Sequence, residues 1–334
     1  MGTASRCARY CSLFDVGNER GPASAGGEVG QSMSVSTPSD GGAKPGTGEV
    51  IGVGGATMPS EPPSHLIYRH QAGVRSSLGN VWASRDIIFT LAERDLRAQY
   101  KQATLGFLWA LIFPVAMLGI FTIVFSRTSS NGVPGIPYPI FAYIGILCWT
   151  FFSGALGTGG TSLLTNNALL SKTQFPRECF PLESILVTAV NSVLAWIPLV
   201  LLFVFYRFVP YPTSVWVPLL ILIELGFTVG VTVGVSALII QMRDLAQVLP
   251  IIIMLGLFAT PVIWQFKRVP AKWQYVYGFI SPIGPVIDDV RRTMLMGLNP
   301  AWGPLIAAIA GTVFYLVAGY RIFRRLEVNF ADIA

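Results

Sequence analysis

Six long runs of apolar residues set the strongest limit on what this chain can fold into. Each run is close to the roughly 20 residues that an α-helix needs to cross the hydrocarbon core of a bilayer. Because lipid offers the backbone no hydrogen-bond partners, each run is expected to cross as a helix. The runs lie at about residues 105–125, 140–161, 185–206, 215–240, 248–264 and 302–320.

The composition agrees with a membrane protein and excludes most soluble classes. Charged residues make up 12% of the 334 residues and hydrophobic residues make up 52%, whereas a soluble domain has about 25% charged residues. These values exclude a disordered chain, a coiled coil and a typical cytosolic enzyme. The chain has 2 histidines and 4 cysteines, which are too few and too scattered to predict a metal site.

Residues 1–64 differ from the rest of the chain because they are rich in Gly, Ser, Thr and Pro. Such a segment cannot bury enough apolar surface to offset the entropy of ordering it, so we predict a disordered cytoplasmic tail. Its residues 41–47 faintly resemble a phosphate loop, but no Lys follows Gly46 and no strand precedes it. We therefore expect no nucleotide site and no enzymatic activity on this chain.

Short-loop charges predict how the spans are oriented. Six spans place both termini on one side, and Lys and Arg accumulate on the cytoplasmic side. The segments before span 1, between spans 2 and 3 and after span 6 lie on one side of the predicted topology. They carry Arg94, Arg97, Lys101, Lys172, Arg177, Arg321, Arg324 and Arg325. The opposite short loops hold Arg127 and Arg207. The prediction is a multi-pass protein of the cytoplasmic (inner) membrane with both termini in the cytoplasm, although the external connection 265–300 is also basic.

Three segments are neither spans nor ordinary loops. Residues 84–103 have apolar positions at helical spacing among dense charges, which predicts an amphipathic helix in the cytoplasmic interface. Residues 166–181 predict a short cytoplasmic helix that either docks into a partner's groove or lies against the membrane. The aromatic-rich stretch 265–300 predicts a helical region that dips back into the bilayer from outside.

The residues that follow Arg94 resemble the membrane subunit of type-2 ABC exporters, in particular the polysaccharide branch (O-antigen, capsule-like glycans, teichoic acid and mycobacterial galactan). The resemblance is carried by Gln99-Tyr100-Lys101, by Leu105-Gly106-Phe107-Leu108-Trp109 and by Pro114. Further similar stretches follow in order at 137–156, 166–186, 241–264 and 324–334. The family more often has Asn-Pro where this chain has Ser281-Pro282, and the amino-terminal tail is not explained by the resemblance.

The resemblance implies an all-α membrane protein with domains at 65–103 (interfacial helix region), 104–322 (transmembrane domain) and 323–334 (cytoplasmic tail). The resemblance also implies a homodimer that assembles with two copies of a separate ATP-binding subunit. ATP and Mg would bind to that separate subunit. The implied coupling helix contains Leu169, Leu170, Lys172, Phe175 and Arg177. The implied interface or gate helix contains Arg94, Asp95, Arg97, Tyr100 and Lys101.

Two further sets of residues are singled out within the spans. Aromatic rings can stack on the apolar faces of sugars and still let a polymer slide, which makes these residues candidates to line a channel: Trp109, Phe113, Tyr143, Trp149, Phe151, Phe152 and Trp264. Tandem small-residue spacing at Gly226, Gly230 and Gly234 predicts close helix packing. Glu224 is the one acidic residue of its span, and its role stays open.

Three functions compete at this point. The first is an ATP-driven exporter of a lipid-linked polysaccharide, such as an O-antigen-like polymer. A preference for Arg over Lys suggests a GC-rich source, for which a cell-wall galactan precursor is a reasonable substrate. The second is a type-2 ABC permease for small molecules or drugs. The third is a membrane glycolipid flippase or enzyme that does not use ATP, for which Asp288-Asp289 is the one acidic pair available.

Overall fold

The computed structural model of the chain describes residues 84–101, 108–125, 133, 135–166 and 176–327. Within these residues the regular structure is helical and contains no β-strand. Two short 3₁₀ turns, Pro212–Trp216 and Phe266–Arg268, accompany the α-helices. The α-helices are α1 (Arg85–Lys101), α2 (Leu108–Phe125), α3 (Tyr138–Thr165), α4 (Cys179–Phe205), α5 (Val217–Gln241), α6 (Leu245–Ala259), α7 (Ala271–Ile280), α8 (Ile283–Leu295) and α9 (Trp302–Glu327).

Four helices of the described residues are long and apolar enough to cross a membrane. They are α3, α4, α9, and α5 together with the turn that precedes it. The apolar helices α2 and α6 are shorter by the same measure. The helical membrane fold is therefore confirmed, while the count of six spans stays a prediction.

Helix α6 ends earlier than the apolar run 248–264 predicts. It stops at Ala259, and Thr260 is extended with ψ of 145°. The cause is local, because Thr260 precedes Pro261 and a residue before proline is driven out of the helical region. Residues 260–264 therefore form a turn that leads into the segment 265–300, and they leave backbone carbonyls outside any helix.

Helix α3 is at the centre of the bundle. It packs against α4 and α5 along most of its length, and it is the most buried of the four long apolar helices. The phenolic O–H of Tyr143 donates a hydrogen bond to the carbonyl oxygen of Ala195 on α4 at 2.8 Å. The ring of Phe152 stacks on Phe227 of α5 with centroids 5.3 Å apart. These contacts fix the position of α3 relative to both neighbours.

The glycines at predicted packing positions lie on the face of α5 that meets α9. Gly234 is opposite Gly319, and a side chain at Gly230 would collide with the backbone of Leu316. A side chain at Gly319 would in turn overlap the carbonyl oxygen of Gly230. Small residues let two helix backbones approach this closely, so these glycines serve packing within one subunit.

Candidate functional site

A groove of about 400 Å³ runs along one side of the bundle. Helix α3 forms its floor, and helices α2 and α6 form its two walls. The α6 wall is apolar, whereas the floor carries small and hydroxyl-bearing side chains. The lining residues are Phe113, Met117, Trp149, Ser153, Gly157, Thr161, Ala246, Leu249, Pro250, Ile253, Met254 and Leu257.

The floor of the groove is a regular stripe on α3. Trp149, Ser153, Gly157 and Thr161 follow one another every four residues, a spacing that places them on one helix face over roughly 18 Å. The hydroxyl of Thr161 donates to the carbonyl of Gly157 at 2.9 Å. That bond uses the hydroxyl proton and leaves the oxygen lone pairs free to accept hydrogen bonds from a groove occupant. The stripe thus combines one aromatic ring, one gap and two hydroxyl groups.

Trp149 is held in place at one end of this stripe. Its ring packs beside Phe152 with centroids 5.6 Å apart. On the other side it lies against Gly256 of α6, where an added Cβ would come within 2.8 Å of the indole. Gly256 therefore lets α6 approach the indole closely, and any larger residue there would push the groove wall outwards.

The other predicted channel aromatics occupy several environments. Phe113 borders the groove together with Trp149, whereas Tyr143, Phe151 and Phe152 are buried between helices. Trp264 lies in the turn after α6, where its indole N–H donates to the carbonyl of Phe258 at 3.2 Å. The side chain of Trp109 lies outside the described part of the structure. Channel lining stays a prediction, and the structure brings two of the seven to the groove.

The interface helix α1 lies against α4. The Tyr100 O–H donates to the side-chain oxygen of Asn191 on α4, and burial raises the pKa of Tyr100. Arg94 pairs with Asp95 at 2.7 Å, and Arg97 pairs with Glu93. Both pairs are exposed and therefore contribute little stability. Lys101, the last residue of α1, is also exposed.

A charged network joins the start of α4 to the end of α9. Glu178, which is buried, forms an ion pair with Arg324 at 3.2 Å and accepts a hydrogen bond from the Tyr320 hydroxyl at 3.1 Å. Arg324 also pairs with Glu327 at 3.0 Å. Arg177, predicted for the coupling helix, donates to the backbone carbonyl of Glu327 at 3.2 Å. The other predicted coupling residues, Leu169, Leu170, Lys172 and Phe175, lie outside the described residues.

Arg291 of α8 is a structural centre that the sequence analysis did not single out. Its side chain is fully buried, and it donates to the carbonyls of Phe141 at 2.9 Å, Pro261 at 2.8 Å and Val262. The guanidinium also lies 3.8 Å from the centroid of the Phe141 ring. One side chain therefore joins α8, the start of α3 and the turn after α6.

This placement explains part of the basic character of the 265–300 segment. Arg291 does not act as a loop charge, because its donors bind the carbonyls of Pro261 and Val262 in the turn after α6 and the carbonyl of Phe141 on α3. The pattern that could have revealed it is helical spacing. Ile287 and Leu295 are buried on α8, and Arg291 lies four residues from each of them, on the same helix face.

Within the described residues, the acidic pair Asp288-Asp289 and the cysteines Cys148 and Cys179 do not belong to a metal-binding group. Asp289 accepts a hydrogen bond from the backbone N–H of Ala301 at 2.7 Å, which fixes the turn before α9. Cys148 and Cys179 are buried free thiols. Among the described residues, no group of three His, Cys, Asp or Glu side chains is placed to hold a metal ion.

Comparison with known proteins places this architecture in a family. The sequence profile of the ABC-2 type transporter matches residues 87–295. This chain belongs to the ABC-2 type transporter family. The matched region runs from α1 to α8 and contains the groove and Arg291, and the chain is a multi-pass membrane protein.

Relatives with assigned roles cover most of the chain. It is 26% identical over 266 residues to the O-antigen export system permease protein RfbA of Myxococcus xanthus, covering 74% of this chain and 95% of that protein. It is 27% identical over 251 residues to the protein of the same name from Klebsiella pneumoniae, with the same coverage. The polysialic acid transport protein KpsM of Escherichia coli is 22% identical over 244 residues, covering 70% of this chain and 91% of that protein.

Proposed function

We propose that this chain is the membrane subunit of an ATP-driven exporter that moves a lipid-linked polysaccharide across the cytoplasmic membrane. The observation that carries the proposal is the stripe on α3, which presents an aromatic ring and hydroxyl oxygens to an elongated groove within the family's matched region. The two RfbA proteins, which align with this chain over 95% of their own length, are O-antigen export permeases. The substrate class is an O-antigen-like polymer or a cell-wall galactan precursor.

The groove suits a polymer that must slide. A sugar presents apolar C–H faces to a ring such as Trp149 and hydroxyl donors to oxygens such as those of Ser153 and Thr161. None of these contacts is an ion pair, so no single strong bond has to break as the polymer advances. The gap at Gly157 leaves room for the bulk of a sugar ring.

A second copy of the chain closes the groove into a channel in this proposal. The groove is open on the side away from α3, and the exposed apolar residues of its walls include Phe113 on α2 and Met254 on α6. The homodimer has six spans per subunit, with α2 and α6 counted among them and both termini in the cytoplasm. Two copies of a separate ATP-binding subunit supply ATP and Mg, and this chain holds neither.

The charged network between α4 and α9 is the proposed route for mechanical coupling. The coupling helix predicted at Leu169–Arg177 ends next to Glu178, and Arg177 and Glu178 are attached to the end of α9 through Arg324 and Glu327. A displacement of the coupling segment therefore moves α4 and α9 together. Because α9 packs on α5 through glycines, the displacement also reaches the centre of the bundle.

Exchanging the charges of this network tests the coupling route. We expect Glu178→Arg and Arg324→Glu to lower polysaccharide export about tenfold each while ATP hydrolysis continues, because each leaves like charges together at a buried position. The double variant restores an opposite-charge pair and is expected to recover most of the export. Export and ATP hydrolysis are measured on the same membranes. If the double variant exports no more polysaccharide than the weaker of the two single variants, the charge pair is not part of the coupling route.

Depletion of this subunit in its own host tests the proposed function. We expect lipid-linked polysaccharide to accumulate on the cytoplasmic side, where it is detected by mass analysis of extracted lipids, while surface polysaccharide falls. Re-expression of the wild-type chain reverses both changes. Normal surface polysaccharide after depletion would contradict the proposal, and accumulation of a small molecule with no change in polysaccharide would favour a small-molecule permease.

A further inference from the structure

We infer that a second cavity, separate from the groove, binds a small lipophilic organic cation through Glu224. The cavity has a volume of about 190 Å³ and lies between α3, α4 and α5. It uses a different face of α3 from the groove, with Leu147, Cys148 and Phe151 in place of Trp149 and Ser153. An occupant of this cavity therefore does not compete with a polymer for space.

Glu224 is the group that defines the chemistry of the cavity. It is 2% exposed, and its side chain lines the space. In the described part of the chain, no hydrogen-bond partner reaches its Oε1 atom. The hydroxyl of Thr228 donates to the backbone carbonyl of Glu224, and the Cys148 thiol is the side-chain partner of the carboxyl group, so Oε1 is left without a hydrogen bond. A buried carboxyl oxygen without a partner is costly inside a membrane protein and commonly marks a functional position.

The protein does not provide a cation for this carboxyl group within the residues described. The buried cation of the external region, Arg291, directs its donors to backbone carbonyls at Phe141, Pro261 and Val262. No ion pair between Glu224 and a basic side chain is present in the described ranges. A ligand that brings its own positive charge therefore completes the site.

The walls of the cavity define the rest of the ligand. They are largely apolar, with the aromatic rings of Phe151 and Trp196 on opposite helices and Ser192 as a small polar contact. Aromatic faces attract organic cations, and apolar walls suit a hydrocarbon body. A cavity of about 150 Å³ is known to hold benzene, so this one accommodates one ring with a compact ammonium group. A sugar phosphate is excluded by its charge and its size.

The structure also provides a route of entry. Val193 lines the cavity and is 68% exposed on the outer surface of α4. Because this surface faces outwards from an apolar part of a predicted span, a ligand reaches the cavity from the lipid phase. A lipophilic cation partitions into lipid and so approaches the carboxyl group without crossing water.

Equilibrium binding to the full chain in lipid nanodiscs tests the inference. The probe is radiolabelled benzyltrimethylammonium, and the competitor is neopentylbenzene, its neutral isostere. We expect saturable binding that falls at least tenfold in affinity in Glu224→Gln, which keeps the shape of the side chain and removes its negative charge. Glu183→Gln removes a buried carboxyl group outside the cavity and is expected to bind as the wild type does. Neopentylbenzene is expected to compete at least tenfold more weakly than the unlabelled cation.

A filled cavity provides a second, independent variant. Ser192→Phe places a ring in the space and is expected to abolish binding even where Glu224 is intact. Absence of saturable binding by the wild type, equal affinity in Glu224→Gln, or undiminished binding in Ser192→Phe would each overturn the inference. The measurement requires neither ATP nor polysaccharide, so its outcome is independent of the proposed export function.

Discussion

Gly157→Trp is expected to abolish polysaccharide export while the subunit still assembles with its ATP-binding partner. Gly157 lies in the floor of the groove, and the nearest atom to an added Cβ is the Ile253 Cδ1 atom at 3.9 Å. An added Cβ therefore makes only an ordinary van der Waals contact, and the new indole extends into the groove and fills the gap in the stripe. Because the obstruction is steric, we expect at least a hundredfold loss of export.

The readout combines surface polysaccharide, ATP hydrolysis and the yield of assembled complex. Ile306→Trp is the matched control, since it adds the same ring to an exposed position of α9, a helix that does not line the groove. The control is expected to retain export. Normal export by Gly157→Trp in a correctly assembled complex would show that the polymer does not pass along this groove.

Arg291→Lys is expected to destabilise the packing of α8 against α3 and the turn after α6, and to abolish export. Lysine keeps the positive charge but lacks the planar fork that reaches three separate carbonyls. Each buried carbonyl that loses its donor costs about 1–3 kcal/mol. The free energy of unfolding is therefore expected to fall several times more than it does for an ordinary surface substitution. The turn at 260–264 loses its attachment to α8, and the groove wall formed by α6 loses its anchor.

Thermal unfolding of the purified chain measures this effect. Arg292→Lys is the control, because its side chain is partly exposed and lies 3.9 Å from Asp289 in a weak pair. We expect a drop in the midpoint of thermal unfolding for Arg291→Lys and little change for Arg292→Lys. Similar midpoints for the two variants would show that Arg291 does not hold α8, α3 and the turn after α6 together.

Each of the six apolar runs overlaps a described helix, because the hydropathy of such a run depends on local sequence. The same is true of helix α1, which is expected within 84–103 and found at Arg85–Lys101, since its amphipathic spacing needs no knowledge of the tertiary fold. The end of α6 differed from its apolar run because hydropathy does not register the backbone restriction at Thr260, which only the following Pro261 reveals.

The site was harder to predict than the fold. Aromatic residues in a span are chemically equivalent in a sequence, and only packing separates Trp149, which borders the groove, from Tyr143, which is buried against α4. The sequence does not distinguish Arg291 from a loop charge, because the carbonyls that accept its hydrogen bonds, on Phe141 and in the turn after α6, are distant from it in the sequence. Three glycines of α5 gave a clear packing signal, whereas their partner surface on α9 emerged only from the structure.

Reconstituted transport tests the central proposal most directly. The chain is purified with its ATP-binding subunit and placed in liposomes with that subunit facing outwards, and lipid-linked polysaccharide from the host is added to the outer leaflet. The account predicts that ATP and Mg make the polymer resistant to an external glycosidase, and that a non-hydrolysable ATP analogue does not. Continued ATP hydrolysis with no protected polymer, or protection without ATP, would contradict it.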